Sequence, residues 1–372
     1  MSIEDYALVG VRGMVAYETG KPVEEIARDY GVTRISKLAS NENPLGCSPR
    51  VQQRLARGVD WSRYPDGAGH ALKTALVAHH PGIDRGQITL GNGSNDILEL
   101  LARTFLAPGR NAVASAHAFA VYGLATKACG AELREVPARP LDDPEQPCGH
   151  DLEAFAAHID ADTRLVFVAN PNNPTGTWAS VAAIEALLQR MPEHALLVLD
   201  EAYCEYQPSA ERPPVEDWLA RYPNLVVTRT FSKAYGLAAL RIGYGLSSPV
   251  VADLLNRVRQ PFNVNQMALL AAEEALQDTG FIAESVRVNA AGMAQWHAGL
   301  TALGLSWLPS RANFVCVNVK QPGRPLFDAL LREGVIVRPV GGYGLPEFLR
   351  ISIGTADENR HGLDALARVL AA

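Results

Sequence analysis

"LVFVANPNNPTGTWASVAAIEALLQRMPEHALLVLD" (residues 165–200) places two almost wholly apolar runs on either side of a helical pattern. The runs LVFVAN (165–170) and ALLVLD (195–200) are typical of strands that are buried on both faces of a parallel sheet. Between them, SVAAIEALLQRM (180–191) repeats apolar residues at helical spacing. Strand, helix and strand in this order predict a right-handed βαβ unit and therefore an α/β domain.

The alternation continues in both directions along the chain. Upstream, QITLGNGSNDILELLARTF (87–105) predicts a strand, a glycine turn and a helix. Downstream, LVVTRT (225–230) predicts another buried strand. These segments extend the α/β pattern well beyond the first unit.

The texture of the chain changes after about residue 265. Short alternating runs there predict the strands of a smaller α+β domain; they are NFVCVNV (313–319), VIVRPV (335–340) and FLRISIG (348–354). We therefore expect a large domain with a mostly parallel central sheet at 41–265 and a small domain at 266–372. Residues 1–40 are expected to form an arm and connector that packs with the small domain.

Composition excludes several classes of function. The 372 residues are 48% hydrophobic, which is enough for two cores, and 34 basic against 40 acidic residues give a net charge of −6. Nucleic acid is therefore not the expected partner. No apolar run is long enough to span a membrane, and the five cysteines show no metal-binding spacing. A cytoplasmic protein with reduced thiols is the expectation.

Polar residues follow each predicted strand of the large domain. They are Gly91–Asp96, Asn170–Gly176, Asp200–Tyr203, and the set Ser232, Lys233 and Arg241. Because ligands of an open parallel sheet bind at the carboxyl ends of its strands, these residues are expected to surround one site.

An anion site is one interpretation of the first of these turns. Backbone N–H groups and the Ser94 hydroxyl at a helix N-terminus can bind an anion, and together with Ser232 and Arg241 they would form a phosphate cup. An ordinary glycine turn, with Ser94 capping the helix, is the alternative.

Lys233 and Asp200 suggest a carbonyl cofactor. A lysine just past a buried strand and near an aspartate can form a Schiff base, and a buried Asp200 needs a cationic partner such as a protonated pyridine nitrogen. Tyr203 and Asn173 could hydrogen-bond the same ring. Taken singly, a solvated lysine, a capping aspartate and a turn asparagine are the simpler interpretations.

Five motifs together resemble those of the fold type I aminotransferases that depend on pyridoxal 5′-phosphate (PLP), and most closely the histidinol-phosphate aminotransferase family. They are SNENPLG (40–46), RYPDG (63–67), NPNNPTG (170–176), DEAY (200–203) and TFSKAYGLAALRIGY (230–244). The resemblance extends from residue 17 to residue 355. It implies the PLP-dependent transferase fold and PLP as the cofactor.

The resemblance assigns the cofactor contacts residue by residue. It implies that Lys233 carries the Schiff base, Asp200 pairs with the pyridine nitrogen, and Tyr203 contacts the ring hydroxyl, as does Asn173. It further implies four phosphate ligands, namely Ser94, Asn95, Ser232 and Arg241. Phe119 matches the residue that stacks on the ring, and Tyr64 matches a tyrosine contributed by the partner subunit, which implies a homodimer.

Substrate contacts follow from the same resemblance. Arg350 matches the arginine that receives the anionic group of the substrate, and a guanidinium suits a carboxylate or a phosphate. Further substrate-contact positions are matched by Tyr17, Asn41, Asn173 and Arg338. Phe119 stands where many relatives have tyrosine, and Thr19 stands where proline is expected, and the resemblance places both departures near the substrate.

The implied reaction is transamination between histidinol phosphate and 2-oxoglutarate, a step of histidine biosynthesis. One alternative is an aromatic aminotransferase that uses phenylalanine or tyrosine, and another is a decarboxylase of a phosphorylated amino acid. A ligand sensor without catalysis would need a second functional module, for which the acidic arm of about 40 residues is too short.

Overall fold

In the computed structural model, residues 2–16 and 20–371 are described. The strands are β1 (Ser36–Lys37), β2 (Ile88–Gly91), β3 (Asn111–Ser115), β4 (Glu132–Val136), β5 (Thr163–Ala169), β6 (Leu196–Asp200), β7 (Leu225–Thr230), β8 (Gly243–Ser247), β9 (Ser306–Leu308), β10 (Phe314–Asn318), β11 (Val335–Ile336), β12 (Arg338–Pro339) and β13 (Phe348–Ser352). The α-helices are α1 (Val9–Arg12), α2 (Val23–Tyr30), α3 (Pro49–Ala56), α4 (His70–His79), α5 (Ser94–Phe105), α6 (Ala120–Ala128), α7 (Val181–Arg190), α8 (Val215–Arg221), α9 (Pro249–Val258), α10 (Gln266–Gln277), α11 (Thr279–Ala302), α12 (Gly323–Arg332) and α13 (Ala356–Ala371).

The large sheet has seven strands in the order β2-β8-β7-β6-β5-β3-β4. Its strands run parallel except β8, which is antiparallel to both of its neighbours. The opening stretch forms β5, α7 and β6, and β5 pairs directly with β6 as a parallel neighbour. The α/β fold with a mostly parallel sheet is therefore confirmed.

Both faces of the large sheet are buried, which explains its continuous apolar runs. Alternate residues of the central strands contribute to two separate cores. Phe167, Val198 and Val226 belong to one of them, and Val168 and Leu199 belong to the other. Helices cover both faces, and α7 begins where the Ser180 side chain accepts a hydrogen bond from the Ala183 N–H.

The second sheet has four antiparallel strands in the order β12-β13-β10-β9. Residues 335–340, predicted as one strand, instead form β11 and β12 in different sheets, because β11 pairs with β1 and β12 pairs with β13. Pro339 has no N–H to donate, which suits the edge position of β12.

The predicted domain limits can be compared with the contacts that the helices make in the structure. Ile26 of α2 and Leu38, next to β1, belong to the core of the small sheet, whereas α1 lies against α6 on the large sheet. The predicted boundary at residue 265 separates α10 from α3 and α4, although α10 packs into the core of the large sheet. The residue limits of the domains stay a prediction.

Candidate active site

A cavity of about 300 Å³ lies at the carboxyl ends of β5, β6 and β7, between the two sheets. The predicted site residues that line it are Asn41, Ser94, Asn95, Phe119, Asn173, Asp200, Tyr203, Ser232, Lys233, Arg241, Arg338 and Arg350. Residues scattered over 310 positions of sequence are thus brought to one place. Among the described residues, Tyr64 is not part of this cavity, and Tyr17 and Thr19 lie outside the described residues.

Hydrogen-bond donors surround one end of the cavity. The helix α5 begins at Ser94, directly after Gly93 in a backbone conformation of φ +80°. The positive φ of Gly93 favours glycine, and a Cβ there would lie 2.8 Å from Nη2 of Arg241, so a larger residue would also have to displace this guanidinium. Nη1 of Arg241 donates to Oγ of Ser232 at 3.4 Å. N–H groups, two hydroxyls and a guanidinium together form an arrangement suited to a phosphate.

Lys233 lies in the wall of the cavity, just past β7. Its Nζ donates to the backbone oxygen of Ser40 at 3.2 Å and lies 5.8 Å from the centre of the Tyr203 ring. Burial lowers the pKa of Lys233 to about 8, and the positive charge of Arg350 lowers it as well. A neutral amine, the form that attacks a carbonyl, is therefore accessible close to neutral pH.

Asp200 ends β6 and is 5% exposed. Its Oδ1 accepts a hydrogen bond from the Thr228 hydroxyl at 2.9 Å, and its Oδ2 accepts one from the Tyr122 hydroxyl at 2.8 Å. Burial raises the pKa of Asp200, whereas these hydrogen bonds and the charge of Lys233 oppose the rise. A carboxylate held in this way is positioned to pair with a cation in the cavity.

Tyr122 and Thr228 were not singled out from the sequence, although both bind Asp200. Tyr122 is almost fully buried, and its ring stacks on Phe167 with 4.6 Å between the centroids. A signal was present, because Tyr122 follows Phe119 by three residues and lies on α6, and residues three apart share one face of a helix.

Tyr203 belongs to a hydrogen-bond network that joins the two sheets. Its hydroxyl accepts from Nδ2 of Asn41 at 2.9 Å, and Oδ1 of Asn41 accepts from the Ser352 hydroxyl at 2.9 Å. Burial raises the pKa of Tyr203 to about 12. The phenol therefore stays protonated at neutral pH and can donate a hydrogen bond.

Two arginines lie at the other end of the cavity on paired strands. Arg350 in β13 is opposite Arg338 in β12. Arg350 donates from Nη1 to Oδ1 of Asn173 at 2.5 Å and from Nη2 to the backbone oxygen of Ala39 at 2.6 Å. Within the described residues its buried Nε has no hydrogen-bond partner. This end of the cavity is suited to an anionic substrate group.

Phe119 caps the N-terminus of α6 and forms part of the cavity wall. Its ring meets Tyr122 edge to face, with 5.9 Å between the centroids. An aromatic side chain beside Asp200 and Tyr203 gives the cavity a flat apolar surface between its polar ends.

The family model described as "Aminotransferase class I and II" matches residues 33–366. The chain belongs to this aminotransferase family. Two relatives of the aminotransferase are named histidinol-phosphate aminotransferase 2. The one from Pseudomonas aeruginosa is 58% identical over 97% of both chains, and the one from Pseudomonas fluorescens (strain Pf0-1) is 57% identical over 97% of this chain and 96% of its own.

Solved structures agree with this assignment. The crystal structure of histidinol-phosphate aminotransferase from Sinorhizobium meliloti in complex with pyridoxal 5′-phosphate superimposes on the aminotransferase with a TM-score of 0.88. It is 31% identical in sequence and covers 98% of this chain and 97% of its own. Aspartate aminotransferase from Thermus thermophilus with maleate has a TM-score of 0.82 at 23% identity, over 96% of this chain and 100% of its own, which shows the shared fold.

The described part of the aminotransferase comprises residues 2–16 and 20–371. No helix in these residues has the length and apolar character needed to cross a bilayer. They also hold no cluster of three or more metal-ligating side chains.

Proposed function

We propose that this aminotransferase uses PLP to transfer an amino group between histidinol phosphate and 2-oxoglutarate, as a cytoplasmic step of histidine biosynthesis. One observation carries the proposal. Lys233 and Asp200 line a cavity that has Arg350 at one end and the phosphate-suited donors at the other. The names of relatives at 57% and 58% identity favour histidinol phosphate as the amino donor.

PLP fits the residues that are present. Its phosphate suits the donors around Ser94, Ser232 and Arg241, where Gly93 leaves room for close approach. Asp200 offers a buried carboxylate to a protonated ring nitrogen, and Lys233 offers an amine to the aldehyde. When bound, PLP supplies an electron sink that stabilises negative charge on the reacting carbon of the substrate.

The residues of the chain then have distinct tasks. Tyr122 and Thr228 hold the carboxylate of Asp200 in place, and this carboxylate would keep the ring nitrogen of bound PLP protonated. Once the amino group of a substrate had taken its place, Lys233 would be a free amine beside the substrate, positioned to accept the proton of the substrate carbon and to donate it back. A pKa of about 8 suits a group that must both accept and donate a proton near neutral pH.

The remaining side chains orient the ligands. With PLP bound, Tyr203 would donate a hydrogen bond to the ring hydroxyl, Asn173 would contact the same oxygen, and Phe119 would offer its ring as an apolar surface to the cofactor. Arg350 binds the anionic group of each substrate, with Arg338 opposite it in register. Because both substrates would use Arg350 in turn, the two half-reactions should follow one after the other with ping-pong kinetics.

A homodimer is part of the proposal. Tyr64 is 81% exposed and stacks on Phe262 with 4.6 Å between the ring centroids, and nearby Trp61 is 78% exposed. Aromatic side chains exposed to this degree are typical of protein interfaces. In the proposed dimer, Tyr64 reaches the cofactor phosphate of the partner subunit.

The first test is a single half-reaction of the purified, PLP-loaded protein. Histidinol phosphate should remove the visible absorption band as pyridoxamine phosphate forms, and added 2-oxoglutarate should restore it. Phenylalanine added separately should react more slowly. A faster reaction with phenylalanine would instead identify an aromatic aminotransferase. Carbon dioxide release from an added phosphorylated amino acid, without keto-acid formation, would identify a decarboxylase.

A further inference from the structure

Arg311 joins the two halves of the molecule outside the cavity. It lies between β9 and β10, on the small-sheet side. Its Nε and Nη2 donate to the two carboxylate oxygens of Glu211 at 2.7 and 2.8 Å, and its guanidinium carbon lies 4.2 Å from the centre of the Trp178 ring. Glu211 and Trp178 belong to the chain between β5 and β7 of the large sheet.

The backbone strengthens this junction. The N–H of Arg311 donates to the carbonyl oxygen of Gly176 at 3.0 Å. Gly176 has φ +82°, and a Cβ there would overlap the side chain of Ser310. The loop 172–178 is closed internally, since the Gly176 N–H donates to the oxygen of Asn172 at 2.8 Å. A displacement of Gly176 or Trp178 would therefore also move Asn173.

The segment 310–314 contacts residues that line the candidate active site. Nδ2 of Asn313 donates to the backbone oxygen of Asn41 at 2.9 Å, and the ring of Phe314 meets Tyr203 edge to face with 5.3 Å between centroids. The guanidinium of Arg350 lies 5.4 Å from the centre of the Phe314 ring. Asn173 thus belongs to the loop 172–178, and Arg350 packs against the segment 310–314. Arg311 links this loop to this segment.

We propose that Arg311 is a positioning residue for substrate binding, holding the loop 172–178 and the segment 310–314 at the spacing at which Arg350 can receive a substrate anion. The inference rests on the proposed function, since it concerns the same anion site. Arg311 does not line the cavity as far as the described residues go, so it acts through its neighbours.

The surroundings of Arg311 and Glu211 favour a stable ion pair. The side chains of Arg311 and Glu211 are 34% and 31% exposed, so water screens the pair only partly. The hydrogen bonds from Arg311 lower the pKa of Glu211, so the carboxylate stays charged to lower pH than an isolated glutamate would. Trp178 covers one face of the guanidinium and adds a cation–π contact.

The test is Arg311→Gln in the PLP-loaded enzyme, with Arg287→Gln as the matched control. Arg287 makes the same two-bond pair with Glu284, but inside helix α11. We expect Arg311→Gln to raise the KM for 2-oxoglutarate by about tenfold, since small displacements of binding groups weaken binding strongly. The Kd for maleate, a dicarboxylate without a keto group, should rise by about the same factor. The kcat should change less than about threefold, and the visible spectrum should stay unchanged.

Further variants make the outcome decisive. Glu211→Gln should weaken maleate binding in the same direction, and Arg311→Lys, which keeps the charge but not the two-bond geometry, should be intermediate. Unchanged KM and maleate Kd in Arg311→Gln would overturn the inference, as would a loss confined to kcat. Failure of the proposed function is a separate result, because it appears in the unmodified enzyme as an absence of transamination.

Discussion

Lys233 makes a prediction about pH at the scale of a single residue. Its pKa of about 8 lies below the ordinary value of 10.5, mainly because of burial. The neutral amine is therefore fully present only above pH 8 and is lost as the pH falls below it. The rate at which PLP-free enzyme captures PLP should rise between pH 7 and pH 9, with its midpoint at about 8. Stopped-flow recording of the visible band measures it.

Two variants provide the controls for that measurement. Lys233→Ala should fold but give no visible band and no turnover, whereas Lys127→Ala, on the exposed side of α6, should behave as the unmodified enzyme does. Borohydride reduction followed by peptide mapping should place the cofactor on Lys233. A midpoint near 10.5 would show that burial does not perturb this lysine.

Tyr122 makes a second prediction, concerning Asp200. Tyr122→Phe removes the hydrogen bond to Oδ2, and since that bond lowers the pKa of Asp200, its loss raises this pKa. Asp200 then becomes protonated at a higher pH, so the acid limb of the kcat/KM profile should shift to higher pH. At neutral pH, kcat/KM should be about tenfold lower. This size follows because a hydrogen bond to a charged group contributes roughly 1.5–3 kcal/mol.

Tyr244→Phe is the matched control for this experiment. Like Tyr122, Tyr244 is buried, but it lies in β8 and its hydroxyl pairs with Nε2 of His80 at 2.9 Å. Its loss should lower thermal stability without moving the acid limb. If both variants shift the pH profile equally, the contact between Tyr122 and Asp200 is not the cause.

At this scale the sequence predicted the residues that line the cavity better than those that support them. Lys233, Asp200 and Arg241 stand in motifs whose spacing is visible in the chain. Tyr122 and Thr228 act only through contacts with Asp200, and such contacts depend on the register of β6 with β7 and on the packing of α6. Residue spacing alone does not reveal that register.

Secondary-structure elements show a similar limit. Buried runs such as LVFVA and LLVLD predicted β5 and β6 because their composition follows from burial on two faces. The splitting of VIVRPV into β11 and β12 depends instead on which distant strands are available as partners, namely β1 and β13. The packing of α10 against α3 and α4 is likewise a tertiary property.

The junction of β8 with α5 makes a prediction at the element scale. A Cβ on Gly243 would overlap the backbone N–H of Ser94, where the phosphate-suited donors begin. Gly243→Ala should therefore push the start of α5 away from Arg241 and raise the Kd for PLP by at least about tenfold, since displaced binding groups lose much of their contribution. Titration of the visible band with PLP measures this Kd.

Gly86→Ala is the corresponding control. Gly86 also lacks a positive φ, and a Cβ there would meet no atom within 4 Å. It should leave both PLP affinity and thermal stability unchanged. Equal PLP affinity of Gly243→Ala and the unmodified enzyme would show that the start of α5 can yield without disturbing the phosphate end of the cavity.

The protein is proposed to act as a dimer in which each active site contains Tyr64 contributed by the other subunit. This makes a complementation prediction for two variants, Lys233→Ala and Tyr64→Ala, each expected to have little activity alone. In a mixed dimer, the subunit that retains Lys233 receives Tyr64 from the other subunit, so one of the two sites is complete. If subunits exchange at random in an equal mixture, half of the dimers are mixed and the activity should reach about a quarter of that of the unmodified enzyme.

The measurement follows activity over time after mixing, with sedimentation analysis to confirm dimers before and after exchange. Two controls bound the result. Each variant mixed with itself should stay at its own low activity, and a mixture of Lys233→Ala with Asp200→Ala, whose lesions lie in the same cavity, should not recover. If Lys233→Ala and Tyr64→Ala give only the mean of their separate activities after complete exchange, then Tyr64 serves its own subunit and the sites are not shared.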